Sequence, residues 1–166
     1  MATASRRWRR ITISRKSKSK PRSDSSDYSK LTQLDLPGFT YFFDSTNMVR
    51  ELADALHQRG RLVHMHNEVF PDRTPDRVWI LDVAKRGWII LTRDKRLQTR
   101  HLEWIAFLRA KARVLWFKGD RASNVEITEG FLAALPKIDR LALSLPPPYI
   151  IKITSSGHVE QIYPEK

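Results

Sequence analysis

The sequence predicts an α/β fold, a three-layer sandwich in which helices cover both faces of a mainly parallel sheet. Residues 39–43 and 88–91 form short aromatic and aliphatic runs, which are typical of strands buried on both faces. Met48, Leu52 and Leu56 recur at helical spacing between the first two predicted strands. Because strands and helices alternate along the chain, we expect parallel strands joined by helical crossovers.

Capping residues and glycines set the expected bounds of the elements. Thr74 is suited to cap a helix in which Pro75 takes the first position, and Ser123 and Glu126 have the spacing of a capping box. A turn at Ser156 and Gly157 predicts a C-terminal hairpin. The expected elements are strands at 39–43, 61–66, 88–91, 114–117, 149–154 and 158–163, and helices starting at Ser45 or Thr46, near Asp76, near Thr99 and after Ser123.

Charge and composition divide the chain into an arm and a domain. The net charge is +12, and residues 1–30 hold ten basic and two acidic side chains. We therefore expect residues 1–36 to be a disordered basic arm and residues 37–166 to form one folded domain. The chain has no cysteine, no apolar run of membrane-spanning length and no signal-peptide core, so the expected compartment is the reducing cytoplasm.

Acidic side chains follow the predicted strands at one edge of the sheet. Asp44 ends the first strand, Glu68 lies just past the second, and two residues separate Asp94 from the end of the third. Asp76 reaches the same edge from the first turn of its helix. With the strand order second, first, third, fourth, the winding direction changes between the first and third strands, where Asp44 and Asp94 become neighbours. Carboxylates without cysteine or paired histidine ligands favour Mg²⁺ or Mn²⁺.

Each of these acids also has a local interpretation. Asp44 can cap the following helix, Asp76 can complement the helix dipole, and Asp94 can be a turn residue. Only the occurrence of several acids at the same edge of the sheet indicates a metal site. His64 and His66 share one face of a predicted strand, but a third ligand for a metal is missing.

Two segments resemble a known family. Residues 70–79 read FPDRTPDRVW and residues 87–96 read GWIILTRDKR. They are similar to the patterns F-P-x-x-T-P-D-x-x-W and G-W-x-x-L-T-x-D-K-R of a subgroup of PIN-like domains, those of VapC-type toxin ribonucleases. The resemblance extends over about residues 39–153, and it implies a PIN-like domain.

The resemblance implies a metal-dependent endoribonuclease and a cognate antitoxin that blocks its site. It assigns the catalytic acids to Asp44, Asp76 and Asp94 and adds Glu68 to the metal ligands. Divalent ions of this kind activate water and stabilise the leaving oxygen in phosphodiester cleavage. The sequence leaves open whether Asn47 joins the site and whether the chain forms a homodimer.

Basic side chains follow the third strand, close to the predicted acids. Arg93, Lys95, Arg96 and Arg100 can bind the phosphates of a single-stranded RNA that the acids alone would repel. Two other classes of protein fit the same fold. One is a receiver-type signalling domain with Asp94 as phospho-acceptor, and the other is a non-catalytic RNA-binding module.

Overall fold

The computed structural model describes residues 38–44, 49–94, 97, 101–119 and 121–165. The predicted arm, residues 1–36, lies outside them. The described elements, in chain order, are β1 (Thr40–Phe43), α1 (Arg50–His57), β2 (Leu62–Met65), α2 (His66–Val69), α3 (Asp76–Lys85), β3 (Ile89–Thr92), α4 (His101–Arg109), β4 (Arg113–Lys118), α5 (Asn124–Ser144), β5 (Tyr149–Thr154) and β6 (Val159–Tyr163).

The six strands form one sheet in the order β2-β1-β3-β4-β5-β6. All neighbours pair in parallel except β6, which pairs with β5 in the antiparallel direction. The predicted α/β class, the order of the first four strands and the C-terminal hairpin are confirmed. In the described part of the chain, no helix is long and apolar enough to cross a membrane.

Two apolar cores lie on opposite faces of the sheet. Tyr41 and Phe43 of β1 pack on the face that α1 and α5 cover, and Phe42 packs on the face that α3 and α4 cover. All three side chains are fully buried, because the central strand of a parallel sheet has helices on both faces. The strand that precedes Asp44 is therefore fixed from both sides.

Three turns connect a helix directly to the next strand, and each contains one residue in the left-handed region. These residues are Gly60, Gly87 and Lys111, with φ of 71°, 73° and 54°. In each turn, the N–H of the next residue donates to the carbonyl five residues before it, as in a Schellman motif. The donor and acceptor residues are Arg61 and Leu56, Trp88 and Val83, and Ala112 and Phe107. Glycine meets this conformation without steric cost, whereas Lys111 does not.

A charged pair is buried where the chain enters β2. The Arg61 guanidinium donates to the Asp139 carboxylate of α5 at 2.7 Å, and the two side chains are 10% and 4% exposed. The other Asp139 oxygen and the hydroxyls of Tyr41 and Tyr149 make no hydrogen bond among the described residues. Burial raises the pKa of the Asp139 carboxyl and Arg61 opposes the rise, while burial and the Asp139 charge together raise the pKa of the Tyr41 hydroxyl.

The ends of several helices agree with the expected capping, and one does not. The Ser123 hydroxyl accepts from the Glu126 N–H, and the Glu126 carboxylate accepts from the Ser123 N–H, so the predicted capping box is confirmed. The prediction for Thr74 is wrong. Pro75, with ψ of 140°, is the residue before the first turn of α3, and the Thr74 hydroxyl donates to the Pro71 carbonyl instead. Thr74 is used in closing the preceding turn.

Some boundaries differ from the expected ones. The second strand ends at Met65, because His66 starts the short helix α2, which the apolar pattern did not predict. The third strand runs from Ile89 to Thr92, and Trp88, only half-buried, precedes it. Helix α1 starts at Arg50 after the extended Val49, later than the expected start at Ser45 or Thr46. The expected start of the third predicted helix, near Thr99, lies outside the described residues.

Candidate functional site

Asp44 and Asp94 lie at the carboxyl ends of two adjacent strands. Asp44 directly follows β1, and its N–H donates to the Leu91 carbonyl of β3 at 3.1 Å. Asp94 lies two residues beyond the end of β3. From β1 the chain first adds β2 on one side and then β3 on the other, so the direction of winding changes between β1 and β3. In open α/β sheets this is where ligands bind.

The Thr92 hydroxyl joins the two acidic residues. It donates to Oδ2 of Asp44 at 3.0 Å and accepts from the backbone N–H of Asp94 at 3.1 Å. Thr92 is 1% exposed, so water does not compete for these bonds. The carboxylate of Asp44 and the backbone of Asp94 are thus positioned by one buried side chain.

The segment after β3 is also held from β4. The Trp116 indole N–H donates to the Asp94 carbonyl at 3.1 Å, and the Leu97 N–H donates to the same carbonyl at 3.2 Å. The Arg93 guanidinium donates to the Gly119 carbonyl just beyond β4 at 3.1 Å. The first two bonds hold the backbone of Asp94, and the third holds the side chain of the neighbouring Arg93.

Glu68 and Asp76 are engaged in local contacts. Oε2 of Glu68 accepts from the Met65 N–H at 2.9 Å, at the start of α2. Oδ1 of Asp76, the first residue of α3, accepts from the Trp79 indole N–H at 3.0 Å. Among the described residues, no three His, Asp or Glu side chains form a group placed to hold a metal ion. Thr92 links the Asp44 carboxylate with the backbone of Asp94, whereas the bonds of Glu68 and Asp76 are to residues near them in the chain.

The donors that do lie together are suited to a hard cation. They are carboxylate and hydroxyl oxygens, with no sulfur or imidazole nitrogen among them. Mg²⁺ is usually held by one or two carboxylates, and water and substrate phosphates complete its coordination. Asp44 and Asp94 therefore fit a Mg²⁺ or Mn²⁺ site completed by phosphate oxygens.

The two histidines considered as metal ligands take part in aromatic packing. The His64 ring stacks on Trp88 with 4.4 Å between centroids. His66 is buried at the start of α2, where its ring packs against Phe42 and Trp79. They do not share a strand as predicted, because His66 lies beyond the end of β2.

Of the four basic residues predicted to bind RNA, the structure describes Arg93 alone. Arg93 is half-buried and lies beside the Asp94 segment, bonded to Gly119. Lys95, Arg96 and Arg100 lie outside the described residues, as does Asn47.

Thr92 has a role that the sequence analysis did not assign. It is a polar residue at the end of an apolar strand, directly before the segment that contains Asp94. It also occupies a fixed position in the quoted L-T-x-D pattern. Both features are visible in the sequence, but the bond to Asp44 depends on the pairing of β1 with β3.

Comparison with known families agrees with this fold. Residues 40–119 match the family model described as a PIN like domain. The match supports a PIN-like domain over the segment that contains Asp44, Thr92 and Asp94. PIN-like domains are generally nucleases, so this segment has a nuclease-type fold. Neither a search of curated proteins nor a search of solved structures found a match to the chain.

Proposed function

We propose that the chain is a metal-dependent endoribonuclease that cleaves single-stranded RNA. The observation that carries the proposal is the pair of acids, Asp44 and Asp94, joined through Thr92 at the switch point of a PIN-like segment. Oxygen donors of this kind select hard divalent cations. We take the cofactor to be Mg²⁺ or Mn²⁺.

The residues have separate tasks in the proposed reaction. Asp44 and Asp94 hold the cation, with Asp76 as a further catalytic acid and Glu68 as a further ligand. When bound, the ion would lower the pKa of a water molecule and stabilise charge on the phosphate. Thr92 keeps the Asp44 carboxylate in one orientation. Phosphates of the RNA are held by basic side chains next to the acids, namely Arg93, Lys95, Arg96 and Arg100.

We further propose that the chain is the toxin of a toxin–antitoxin pair and acts in the cytoplasm. This rests on the resemblance of residues 70–79 and 87–96 to VapC-type ribonucleases. A toxic ribonuclease has to be blocked until it is needed, so the proposed partner is an antitoxin that covers Asp44 and Asp94. A small antitoxin encoded by the neighbouring reading frame would support the assignment.

The nuclease proposal predicts that RNA cleavage depends on a divalent cation. The purified full chain, incubated with end-labelled single-stranded RNA, is expected to cut only when Mg²⁺ or Mn²⁺ is added after chelation. An Asp94→Asn preparation purified in parallel controls for contaminating nucleases. Cleavage that persists in the chelator and exceeds that of the Asp94→Asn preparation, or no cleavage with either cation, would contradict the proposal.

Thr92→Val is expected to lower cleavage about 10–100-fold, which is the usual effect of losing the group that orients a metal ligand. Valine keeps the shape of threonine but cannot donate to Asp44 or accept from Asp94. Thr92→Ser, which keeps the hydroxyl, is the matched control and should retain most activity. Initial cleavage rates at saturating Mg²⁺ measure the effect. Equal rates for the valine and serine variants would show that the Thr92 hydroxyl does not contribute to cleavage.

A non-catalytic RNA-binding module is the second candidate function. It is favoured by the absence, in the part of the chain that the structure describes, of a third carboxylate beside Asp44 and Asp94. A binding module would keep its RNA affinity after both acids are replaced by Asn and would show no cleavage with either cation.

A further inference from the structure

A turn between α2 and α3 contains an arginine in an unfavourable backbone conformation. The Thr74 N–H donates to the Pro71 carbonyl at 3.2 Å and closes a four-residue turn. Arg73 is the third residue of this turn and has φ of 68°. Turns with positive φ at this position strongly prefer Gly or Asn, because a longer L side chain has a steric cost there.

The helix dipole does not explain the positive charge of Arg73 either. It lies three residues before Asp76, the first residue of α3, and a helix N-terminus disfavours a nearby cation. Its side chain is exposed and makes no hydrogen bond or ion pair with any described residue. Asp72 and Asp76 are close in the chain but form no ion pair with it.

Lys111 provides an internal comparison. It is the one other described non-glycine residue with positive φ, and it is also exposed and basic. It lies just past the end of α4, where a cation is favoured by the negative end of the helix dipole. The helix dipole therefore favours the charge of Lys111 and disfavours that of Arg73.

The Arg73 turn lies at the sheet edge that carries the candidate site. Phe70, directly before the turn, packs its ring against Phe42 at 5.7 Å, and Phe42 is two residues before Asp44. Asp72, Asp76 and the nearby Glu68 repel RNA phosphates, and the exposed Arg73 and Arg77 in the same segment offset this repulsion. A guanidinium binds phosphate oxygens with two parallel hydrogen bonds.

We propose that Arg73 is a phosphate-binding residue that holds the RNA backbone beside Asp44. The inference rests on the proposed function and extends it to a residue outside the acids and the basic segment after β3. The turn conformation disfavours a long side chain at this position, and the helix dipole disfavours a positive charge. A contact with an RNA phosphate would explain why an arginine occurs there.

The test compares Arg73→Gly with Lys111→Gly in the full chain. Each variant removes one positive charge and one non-glycine residue with positive φ. Binding of a fluorescein-labelled single-stranded RNA is measured in chelator, where no cleavage interferes. Arg73→Gly is expected to weaken the Kd about fivefold and to reduce the salt slope by about 0.7. Lys111→Gly should change neither quantity, and Arg73→Lys should recover part of the affinity.

The other outcomes separate this inference from the proposed function. Equal losses in Arg73→Gly and Lys111→Gly would indicate a general charge effect and overturn the assignment of Arg73. Unchanged binding by Arg73→Gly, in a parent chain that binds and cuts RNA, would overturn it and leave the nuclease intact. A parent chain that neither binds nor cuts RNA would overturn both.

Discussion

Replacing Asp94 with Asn is expected to reduce RNA cleavage about a thousandfold while leaving the fold intact. The substitution keeps the shape of the side chain and removes a charge that would hold the cation. A metal ion contributes several kcal/mol to the stabilisation of a phosphoryl transition state, and about 4 kcal/mol corresponds to this factor. The bonds to Thr92, Trp116 and Leu97 all use the backbone of Asp94, so the variant keeps them.

Single-turnover cleavage and thermal melting together measure this prediction. Asp44→Asn should lose a similar factor in rate. Asp82→Asn is the matched control, because Asp82 is an exposed acid of α3 whose carboxylate pairs with Arg86 on the same helix. Titration with Mn²⁺ is expected to raise the melting temperature of the Asp82→Asn protein and not that of the Asp94→Asn protein. An Asp94→Asn protein that cuts at the parental rate would contradict the nuclease proposal and favour the binding module.

Arg61→Met is expected to lower the free energy of unfolding by about 3–5 kcal/mol, the usual cost of leaving one member of a buried ion pair without its partner. Arg61 is the cation bonded to the buried Asp139 carboxylate, whose second oxygen makes no hydrogen bond among the described residues. Without Arg61, burial raises the pKa of Asp139 with no opposing charge. Urea denaturation at neutral pH measures the loss.

The same variant should gain stability as the pH falls. Its folded form would bind a proton on Asp139 at a pH where the unfolded chain, with an ordinary carboxyl pKa near 3.9, does not. Protonation then favours the folded state, and the penalty shrinks between neutral pH and about pH 4. The double variant Arg61→Met with Asp139→Leu removes both charges and should recover most of the loss at pH 7. A single variant that loses less than about 1 kcal/mol would show that the pair does not behave as a buried one.

The sequence was sufficient to predict the order of the first four strands and that Asp44 and Asp94 follow two neighbouring strands. Alternating strands and helices limit the sheet to a few topologies, and in the one expected here the ends of the first and third strands are adjacent. Asp44 and Asp94 therefore follow from topology without any knowledge of side-chain geometry. Their connection through Thr92 does not, because it depends on a hydroxyl direction that hydrophobic periodicity does not encode.

The positions of Glu68 and Asp76 show a second limit of the sequence argument. Both residues occur at helix starts, where a carboxylate can either accept a local N–H or point towards a shared site. The pattern of residues is the same in the two cases. In the structure both make local bonds, to Met65 and to Trp79. Helix α2 was missed for a related reason, since four residues are too few to show a helical period.

Inserted residues are expected to be tolerated less at one edge of the sheet than at the other, because of the three turns at Gly60, Gly87 and Lys111. Each turn passes from a helix into a strand with a fixed set of backbone bonds. An inserted residue there would shift a strand by one position and exchange its two faces between the cores. The connections from β3 to α4 and from β4 to α5 lie at the opposite edge, where each leads from a strand into a helix. Divergence of RNA preference among chains of this type should therefore accumulate beside Asp44 and Asp94, on a frame that stays constant.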